Sequence, residues 1–328
     1  MDSLTSDYKD FATSRGLNYH YYFSDADAGK PTLLFVHGFP SISLDWYYQI
    51  IYFKAKGYGV VVPDMLGYGG TDKPEEHTAY LHSLLAKDLI DILEHEKIEN
   101  VLAIGHDWGS RTTSALAQLY ADRFLGFAFL SVGYIAPNTE LTYEQIRARA
   151  AGFLGYENIG YWEFFSAPDA NEVVKGHLES FWDVLHARDP RVWKYTMCPT
   201  GGLRTFLESD SRTPRGSYVP EDLSRIHKEK FQEHGFAGAL NYYKIMVNGA
   251  DMEEAKKIPQ EQYVVKKPVF FGGTAKDPIC VPMVGAATVK QLCPQATIQV
   301  FETGHWVQLE AHEEVNEALN KWLEKVLA

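Results

Sequence analysis

The sequence predicts an α/β protein with a mostly parallel sheet, helices on both faces and an inserted helical segment. Short β-rich apolar runs alternate with helical patterns towards both ends of the chain, and this alternation stops between about residues 137 and 262. Strands that are apolar throughout and separated by helices are typical of a parallel sheet covered on both faces. A chain of 328 residues can bury a full core and form two domains.

The elements follow from the spacing of apolar residues. Before the insertion, four apolar runs that end in Gly, His or Pro predict strands, at Pro31–Val36, Val60–Pro63, Val101–Ile104 and Phe124–Val132. After it, two further runs predict strands at Pro268–Gly272 and Thr297–Phe301. Apolar residues recurring every three or four positions predict helices at 81–93, Met283–Leu292 and His312–Leu327.

This pattern predicts two domains. Residues 1–136 and 263–328 form a discontinuous core, and residues 137–262 form a helical cap, or lid, that is rich in aromatic residues. Within the cap, Asp189–Gly216 is expected to form extended loops, among them Met197–Gly202, and loop-like sequence continues to Ser217.

Composition and charge exclude several classes of partner. Apolar residues make up 45% and charged residues 23%, which excludes a disordered chain. The formal net charge of −12 has the wrong sign for nucleic acid or anionic lipid, and no apolar run approaches the roughly 20 residues of a membrane span. Cys198, Cys280 and Cys293 have no disulfide or metal-ligand spacing, which indicates a reduced compartment, the cytoplasm, and no metal.

A glycine-flanked turn follows the strand at Val101–Ile104. The sequence Gly105-His-Asp-Trp-Gly109 has the form G-x-nucleophile-x-G, in which small residues let the chain turn sharply and project the central side chain above the sheet edge. That side chain is Asp107, a carboxylate that can attack an electrophilic carbon and form an ester. The alternative is that Asp107 only caps the next helix.

Three further groups are expected at the same sheet edge. His305 follows the last strand and is the candidate general base, and Asp277 follows the strand before it and is the candidate orienting acid. Asp277 could instead only form an Asp-Pro turn. In His37-Gly-Phe-Pro40, after the first apolar strand, the N–H of Phe39 can join that of Trp108 in holding an oxyanion.

The other histidines are expected to be structural or solvated. His37 and His106 flank motifs and are expected to be structural. The rest lie on helical or surface-like stretches, and most are expected to face solvent: His20, His77, His82, His95, His177, His186, His227, His234 and His312.

Five motifs carry a family resemblance: HGFP, PDMLGYGGTDKP at 63–74, GHDWGS, GTAKDP and TGHW. In this order, across nearly the whole chain, the motifs resemble those of the soluble epoxide hydrolases, with a fungal character near the N-terminus. They are highly specific for Asp-nucleophile enzymes of the α/β-hydrolase superfamily and less specific for enzymes that act on epoxides. The resemblance implies the α/β-hydrolase fold, with Asp107, Asp277 and His305 as the triad.

The resemblance also implies two cap tyrosines that donate hydrogen bonds to an epoxide oxygen. The family pattern of Tyr before an aromatic pair matches Gly160-Tyr-Trp-Glu-Phe-Phe165 at Tyr161, and the Asn-aromatic-Tyr pattern matches Tyr243. Tyr242 and Tyr156 are the neighbouring alternatives, and packing is the alternative role for all four.

The implied reaction needs no cofactor. Asp107 opens an epoxide with help from both tyrosines, and water activated by His305 and Asp277 hydrolyses the ester to a vicinal diol. The partners are thus a small-molecule epoxide and water, and a homodimer is left open.

Tryptophans beside the motifs add a predicted apolar wall. Trp46, Trp108 and Trp306 could contact the substrate, with core packing as the alternative for each.

Other functions stay open at this point. A haloalkane or haloacid dehalogenase uses the same triad and binds halide with indole N–H groups, and Trp108 keeps this reading open. A ligand-binding protein on the same fold, or a biosynthetic enzyme that isomerises, cyclises or opens a lactone, is also compatible with the motifs.

Overall fold

An eight-stranded sheet forms the centre of the computed structural model, which describes Leu4 and residues 7–328. In chain order the strands are β1 Tyr8–Ala12, β2 Asn18–Ser24, β3 Thr32–Val36, β4 Gly59–Pro63, β5 Val101–His106, β6 Gly126–Leu130, β7 Val269–Thr274 and β8 Ala296–Phe301. Their order across the sheet is β1-β2-β4-β3-β5-β6-β7-β8. The predicted α/β-hydrolase fold is confirmed.

The two N-terminal strands are the part of the sheet that the sequence did not predict. β1 pairs with β2 and β2 pairs with β4, both antiparallel, whereas β3 to β8 are parallel. In β2, buried tyrosines alternate in part with half-buried residues. This mixed pattern differs from the wholly apolar runs of the central strands.

Fifteen α-helices are found in the described part of the chain. Before the insertion they are α1 Tyr47–Lys54, α2 His82–His95 and α3 Trp108–Leu119. Between β6 and β7 they are α4 Tyr143–Leu154, α5 Tyr161–Ser166, α6 Ala170–Gly176, α7 Leu178–Leu185, α8 Trp193–Thr196, α9 Gly202–Glu208, α10 Glu221–His234, α11 Ala237–Val247 and α12 Ala250–Ala255. The last three are α13 Pro282–Leu292, α14 Val307–Glu310 and α15 His312–Leu327.

The expected extended loops at Asp189–Gly216 are wrong in part. Two short helices, α8 and α9, lie in that stretch, and each is too short to show a helical period in the sequence. The remainder is irregular from Asp210 to Ser217, apart from a single β-bridge between Ala187 and Arg215.

Apolar layers cover both faces of the sheet. In β3, Leu34 and Val36 face one cluster, while Leu33 and Phe35 face the other. The first cluster contains residues of α2, α3 and the inserted helices, and the second contains residues of α1 and α15. The apolar cluster on one face of the sheet therefore continues into the inserted segment.

Buried polar contacts join the inserted helices to the rest of the chain. Arg111 on α3 pairs with Asp251 on α12 at 2.9 Å, and both side chains are buried. His227 Nε2 on α10 lies 2.7 Å from Asp45 Oδ2, and each of these side chains is 1% exposed. Such pairs fix the insertion against the sheet, because removing one partner would leave a buried polar group or charge unpaired.

In the described part of the chain, no helix has the length and hydrophobicity to cross a membrane. All three cysteines are free thiols.

Candidate active site

The turn after β5 places Asp107 at the carboxyl edge of the sheet, immediately before α3. Asp107 has φ 54° and ψ −126°, a backbone conformation that is unusual for a residue other than glycine. A Cβ at Gly105 would lie 2.5 Å from the Gly109 oxygen, and one at Gly109 would overlap the Val36 oxygen. Glycine is thus required at both flanking positions. The Asp107 side chain makes no capping hydrogen bond to α3, which argues against the capping alternative.

One carboxylate oxygen of Asp107 is held by the loop after β3. The N–H of Phe39 donates to Asp107 Oδ1 at 2.7 Å. Burial alone would raise the pKa of Asp107, but His305, His106 and the Phe39 N–H outweigh burial and hold this pKa below its usual value. Asp107 is therefore an ionised carboxylate at neutral pH.

His305 lies between the two carboxylates. Its Nδ1 is 2.6 Å from Asp277 Oδ2, and its Nε2 is 3.5 Å from Asp107 Oδ2. The backbone N–H groups of Ile279 and Cys280 donate to Asp277 Oδ1 at 2.8 and 3.0 Å, which fixes this acid from the other side. Asp107, His305 and Asp277 come together as predicted, although they lie up to 198 residues apart in the chain.

The neighbouring carboxylates, Asp277 and Asp107, influence the protonation of His305. Burial alone would lower the pKa of His305, but the Asp277 charge and the hydrogen bonds of His305 to Asp107 and Asp277 outweigh burial and raise it well above its usual value. The same partnership lowers the pKa of Asp277, against the effect of its burial. The two carboxylates on either side of His305 thus favour its protonated form in the resting site.

Two side chains that the sequence did not single out for catalysis hold the His305 loop. His106 Nε2 lies 2.8 Å from the His305 backbone oxygen, and Ser131 Oγ donates to the same oxygen at 2.6 Å. His106 ends β5 and Ser131 follows β6, at the same edge as Asp107, and this position is the sequence signal that could have identified them.

Gly38 lies next to both Asp107 Oδ1 and the backbone nitrogen of Trp108, one of the two predicted oxyanion donors. A Cβ built on Gly38 would overlap Asp107 Oδ1 and would lie 2.6 Å from the Trp108 backbone nitrogen. The Phe39 N–H already donates to Oδ1. Gly38 thus leaves the space in which Oδ1 meets these two backbone groups.

We expect Gly38→Ala to lower kcat/KM about 10²- to 10³-fold, the typical effect of losing one oxyanion donor. The added methyl group would push the loop away from Asp107, and the hydrogen bond from Phe39 would be lost. Gly152→Ala on α4 is the matched control, because its Cβ would meet nothing within 4 Å. Equal activity of both variants in a steady-state assay would contradict this role of the loop.

Tyr161 on α5 and Tyr243 on α11 face each other across the same space, with ring centroids 5.8 Å apart. Burial and, to a lesser extent, the charge of Asp107 raise the pKa values of both well above the usual value. Both phenols therefore stay protonated and can act as donors.

The neighbouring tyrosines are bound elsewhere. The Tyr156 hydroxyl donates to the Pro278 oxygen at 2.7 Å, and the Tyr242 hydroxyl donates to the Leu66 oxygen at 3.1 Å. Tyr161 and Tyr243 are thus the better candidates of the four.

A cavity of about 20 Å³ joins these groups. Its lining combines the polar groups above with apolar side chains from the insertion and the loops, and consists of Phe39, Asp107, Tyr161, Leu185, Trp193, Met197, Tyr243, Ile279, His305 and Trp306. The sequence analysis missed three of these residues. Trp193 and Met197 lie at the ends of α8, which is too short to recognise, and Leu185 is the last residue of α7.

Of the three predicted wall tryptophans, Trp306 lines this cavity and the other two do not. Trp46 is a correction: it is fully buried in the cluster on the α1 side of the sheet, against Phe35. The Trp108 ring packs on Trp162 at 5.2 Å and on the cavity residue Tyr243 at 5.1 Å, so its contact with substrate stays a prediction.

Three histidines expected at the surface are buried. His82, His186 and His227 are 1%, 3% and 1% exposed. Burial lowers the pKa of His82 and of His186 to about 3. For His227 the sequence contained a signal, because Leu223, His227 and Phe231 form one buried stripe on α10.

Asp277, Cys280 and His305 place ligand atoms within 4.8 Å of one another, a spacing that could hold a metal ion. The direct hydrogen bond between Asp277 and His305 already uses two of these groups for each other. Burial raises the pKa of the Cys280 thiol to about 12, so this thiol stays protonated beside Asp107. The absence of a metal requirement stays a prediction.

The fold and the site together define an α/β-hydrolase-fold protein with a carboxylate at the elbow and a His–Asp pair beside it. A sequence profile of the α/β hydrolase fold matches residues 31–168.

Comparisons with known proteins narrow the class. The chain is 28% identical to an epoxide hydrolase of Caballeronia sordidicola, over 97% of this chain and 93% of that protein. It is 26% identical to the epoxide hydrolase srdG of Neurospora crassa, over 96% and 94%. Epoxide hydrolase A of Mycobacterium thermoresistibile superposes with a TM-score of 0.80 at 26% identity, covering 97% of this chain and 98% of that one. The resemblance to epoxide hydrolases is confirmed.

Proposed function

We propose that this protein is an epoxide hydrolase, a hydrolase acting on ether bonds that opens a small-molecule epoxide with water to give a vicinal diol. One observation carries the proposal: an ionised Asp107 and two protonated phenols, Tyr161 and Tyr243, line a single cavity with His305. The similarity to epoxide hydrolases over nearly the whole chain supports it.

In the first step, Asp107 opens the epoxide ring. Oδ1 is held by the Phe39 N–H, so Oδ2 attacks one ring carbon from the side opposite the ring oxygen. The carbon–oxygen bond of the ring breaks, and Tyr161 and Tyr243 donate hydrogen bonds to the departing oxygen. These donors matter because ring opening develops a strongly basic alkoxide.

In the second step, water hydrolyses the ester. His305, oriented by Asp277, takes a proton from water, and the oxygen adds to the carboxyl carbon of Asp107. Negative charge then develops on Oδ1, the atom beside the Phe39 and Trp108 N–H groups. The bond between the Asp107 carboxyl carbon and Oδ2 then breaks, and His305 returns its proton to Oδ2. The second proton of the water goes to the oxygen held by the tyrosines, so the diol leaves with Oδ2 and the oxygen from water stays in the Asp107 carboxylate.

Halide release is a poorer fit to the same cavity. A dehalogenase with this triad would bind the halide ion through hydrogen bonds from indole N–H groups, and two tryptophans line the cavity. The indole N–H of Trp306 donates to the Leu185 oxygen at 2.9 Å, and that of Trp193 donates to the Val184 oxygen at 2.6 Å. Both indoles are committed to backbone carbonyls, whereas the cavity phenols are suited to an alkoxide.

Residues 137–262 are proposed to act as the cap of the site. They supply Tyr161, Tyr243, Leu185, Trp193 and Met197 to the cavity lining. The cytoplasmic location and a homodimer stay predictions from the sequence.

The function is tested by a single turnover of styrene oxide in ¹⁸O-labelled water. We expect unlabelled diol and one ¹⁸O atom in the peptide that contains Asp107, with label in the diol only on later turnovers. Labelled diol in the first turnover would contradict the ester route. Turnover of a haloalkane but not of styrene oxide would move the assignment to dehalogenation.

We expect the two chemical steps to respond differently to pH. The pKa of Asp107 is held below its usual value, so ester formation should persist as the pH falls from about 8 to about 5. Hydrolysis needs neutral His305. In the ester the charge of Asp107 is gone, but Asp277 still raises the pKa of His305. Hydrolysis should therefore slow as the pH falls through the pKa of His305, and ester should accumulate at low pH.

Rapid-quench mass spectrometry measures both steps in the wild-type protein. A higher ester fraction at pH 5 than at pH 8 is the expected result. A parallel fall of both rates on acidification would contradict the assignment of separate groups to the two steps.

A further inference from the structure

A groove of about 630 Å³ lies on the inserted segment, beside the catalytic cavity. His186 lines it together with parts of the stretch from Arg215 to Glu229. The groove falls within the range of about 300–1,000 Å³ that is typical of small-molecule sites. The catalytic cavity of about 20 Å³ has room for about one water molecule and for no epoxide. Side chains of the lining must therefore move before an epoxide can reach Asp107.

The groove and the cavity share one wall. Leu185 lines the cavity, and the next residue, His186, lines the groove. The His186 ring lies 5.0 Å from the ring of Trp306, which also lines the cavity. The separation between the two spaces is thus a layer of one or two side chains.

The backbone of this wall is fixed. The N–H of His186 donates to the Trp182 oxygen at 3.1 Å, and the His186 oxygen accepts from the Gly216 N–H at 2.8 Å. The N–H of Arg188 donates to the Pro214 oxygen at 2.8 Å. Opening by rotation of a side chain requires none of these bonds to break.

The His186 ring stacks on Trp182, with ring centroids 5.3 Å apart, and only one of its two nitrogens lacks a polar contact. Its Nε2 is buried and has no hydrogen-bond partner in the described part of the chain. Burial keeps the ring neutral, with its pKa lowered to about 3, so no charge holds it in place. Trp306, in contrast, is anchored by its indole N–H on the Leu185 oxygen.

We propose that the groove is the substrate entrance and that the His186 side chain is the gate that sets which epoxides reach Asp107. This inference rests on the proposed epoxide hydrolase function. Rotation of the ring into the groove joins the two spaces, and the size of the opening selects against bulky epoxides.

The test compares a small and a bulky epoxide, propylene oxide and trans-stilbene oxide, by kcat/KM and by the single-turnover rate of ester formation. We expect His186→Ala to raise kcat/KM for the bulky epoxide about tenfold, a typical effect of pocket size on selectivity, and to leave the small one within about twofold. His186→Trp should lower kcat/KM for the bulky epoxide by a similar factor.

Two further variants separate the gate from other effects. Met197→Ala enlarges the cavity without touching the groove, so it should not reproduce the selective gain of His186→Ala. Ser217→Trp fills the groove from an exposed position and should slow the bulky epoxide even if the buried His186 variants fold poorly.

The outcomes are distinguishable. The gate proposal would be overturned if the His186 variants changed kcat/KM equally for both epoxides, or if Met197→Ala gave the same gain for the bulky epoxide. It would also be overturned if Ser217→Trp left kcat/KM for the bulky epoxide unchanged. In those cases turnover of propylene oxide by all variants would leave the proposed function standing. If the wild-type protein turns over neither epoxide, the proposed function fails and the gate fails with it.

Discussion

Asp107→Asn is expected to lower kcat/KM by at least about 10⁴-fold, because removing a catalytic nucleophile typically costs roughly 10⁴- to 10⁶-fold. Asparagine has nearly the same shape and can still accept the Phe39 hydrogen bond at its amide oxygen. The amide lacks the negative charge that attacks the epoxide carbon. Steady-state kinetics with styrene oxide and a single-turnover assay for ester measure the loss.

The control for this substitution is Asp122→Asn. Asp122 lies in the short 3₁₀ helix at Ala121–Arg123, which contains no buried residue. That variant should retain wild-type kinetics. If Asp107→Asn retained more than a tenth of wild-type activity in a folded sample, Asp107 could not be the nucleophile.

The double substitution Tyr161→Phe with Tyr243→Phe has the second large expected effect. Each hydroxyl serves as one donor to the developing alkoxide, and one such donor is typically worth about 10²- to 10³-fold. Loss of both should reduce the rate of ester formation by about 10⁴-fold or more. Each single variant should show an intermediate loss, since the other hydroxyl remains.

Tyr242→Phe and Tyr156→Phe are matched controls for that pair. Their hydroxyls donate to the Leu66 and Pro278 oxygens, so their loss should cost about 0.5–1.5 kcal/mol of stability each. Ester formation should change little. Rapid-quench mass spectrometry and thermal unfolding separate the two effects, and a loss of ester formation in Tyr242→Phe as large as in Tyr243→Phe would contradict the assignment.

Much of the core and the triad could be predicted from the sequence. The central strands are continuous apolar runs, and the carboxyl ends of parallel strands meet at one edge, so Asp107, Asp277 and His305 could be brought together without coordinates. Glycines on both sides of Asp107 made the elbow recognisable, and the structure gives the reason in the overlaps that a Cβ would cause there.

The parts that could not be predicted depend on contacts between distant segments. Trp46 lies next to a motif, but its side chain packs on the opposite face of the sheet from the site. The burial of His186 and His227 arises where both rings stack on Trp182 of α7. α8 is too short for a helical period, so Trp193 and Met197 at its two ends stayed hidden.

The small volume of the cavity could not be predicted from the sequence either. Its volume depends on how the insertion sits over Asp107, which contacts such as Trp306 to Leu185 and His227 to Asp45 fix. No local pattern in the chain encodes the size of a space between two layers.

The central claim is that Asp107 forms an ester that His305 hydrolyses. The most direct measurement is intact-protein mass spectrometry of the His305→Gln variant after exposure to styrene oxide, with the adduct mapped by peptide. We expect a mass increase equal to the whole epoxide, located on Asp107, because alkylation does not need the general base and hydrolysis does. An adduct on another residue, or no adduct in a folded sample, would contradict the claim.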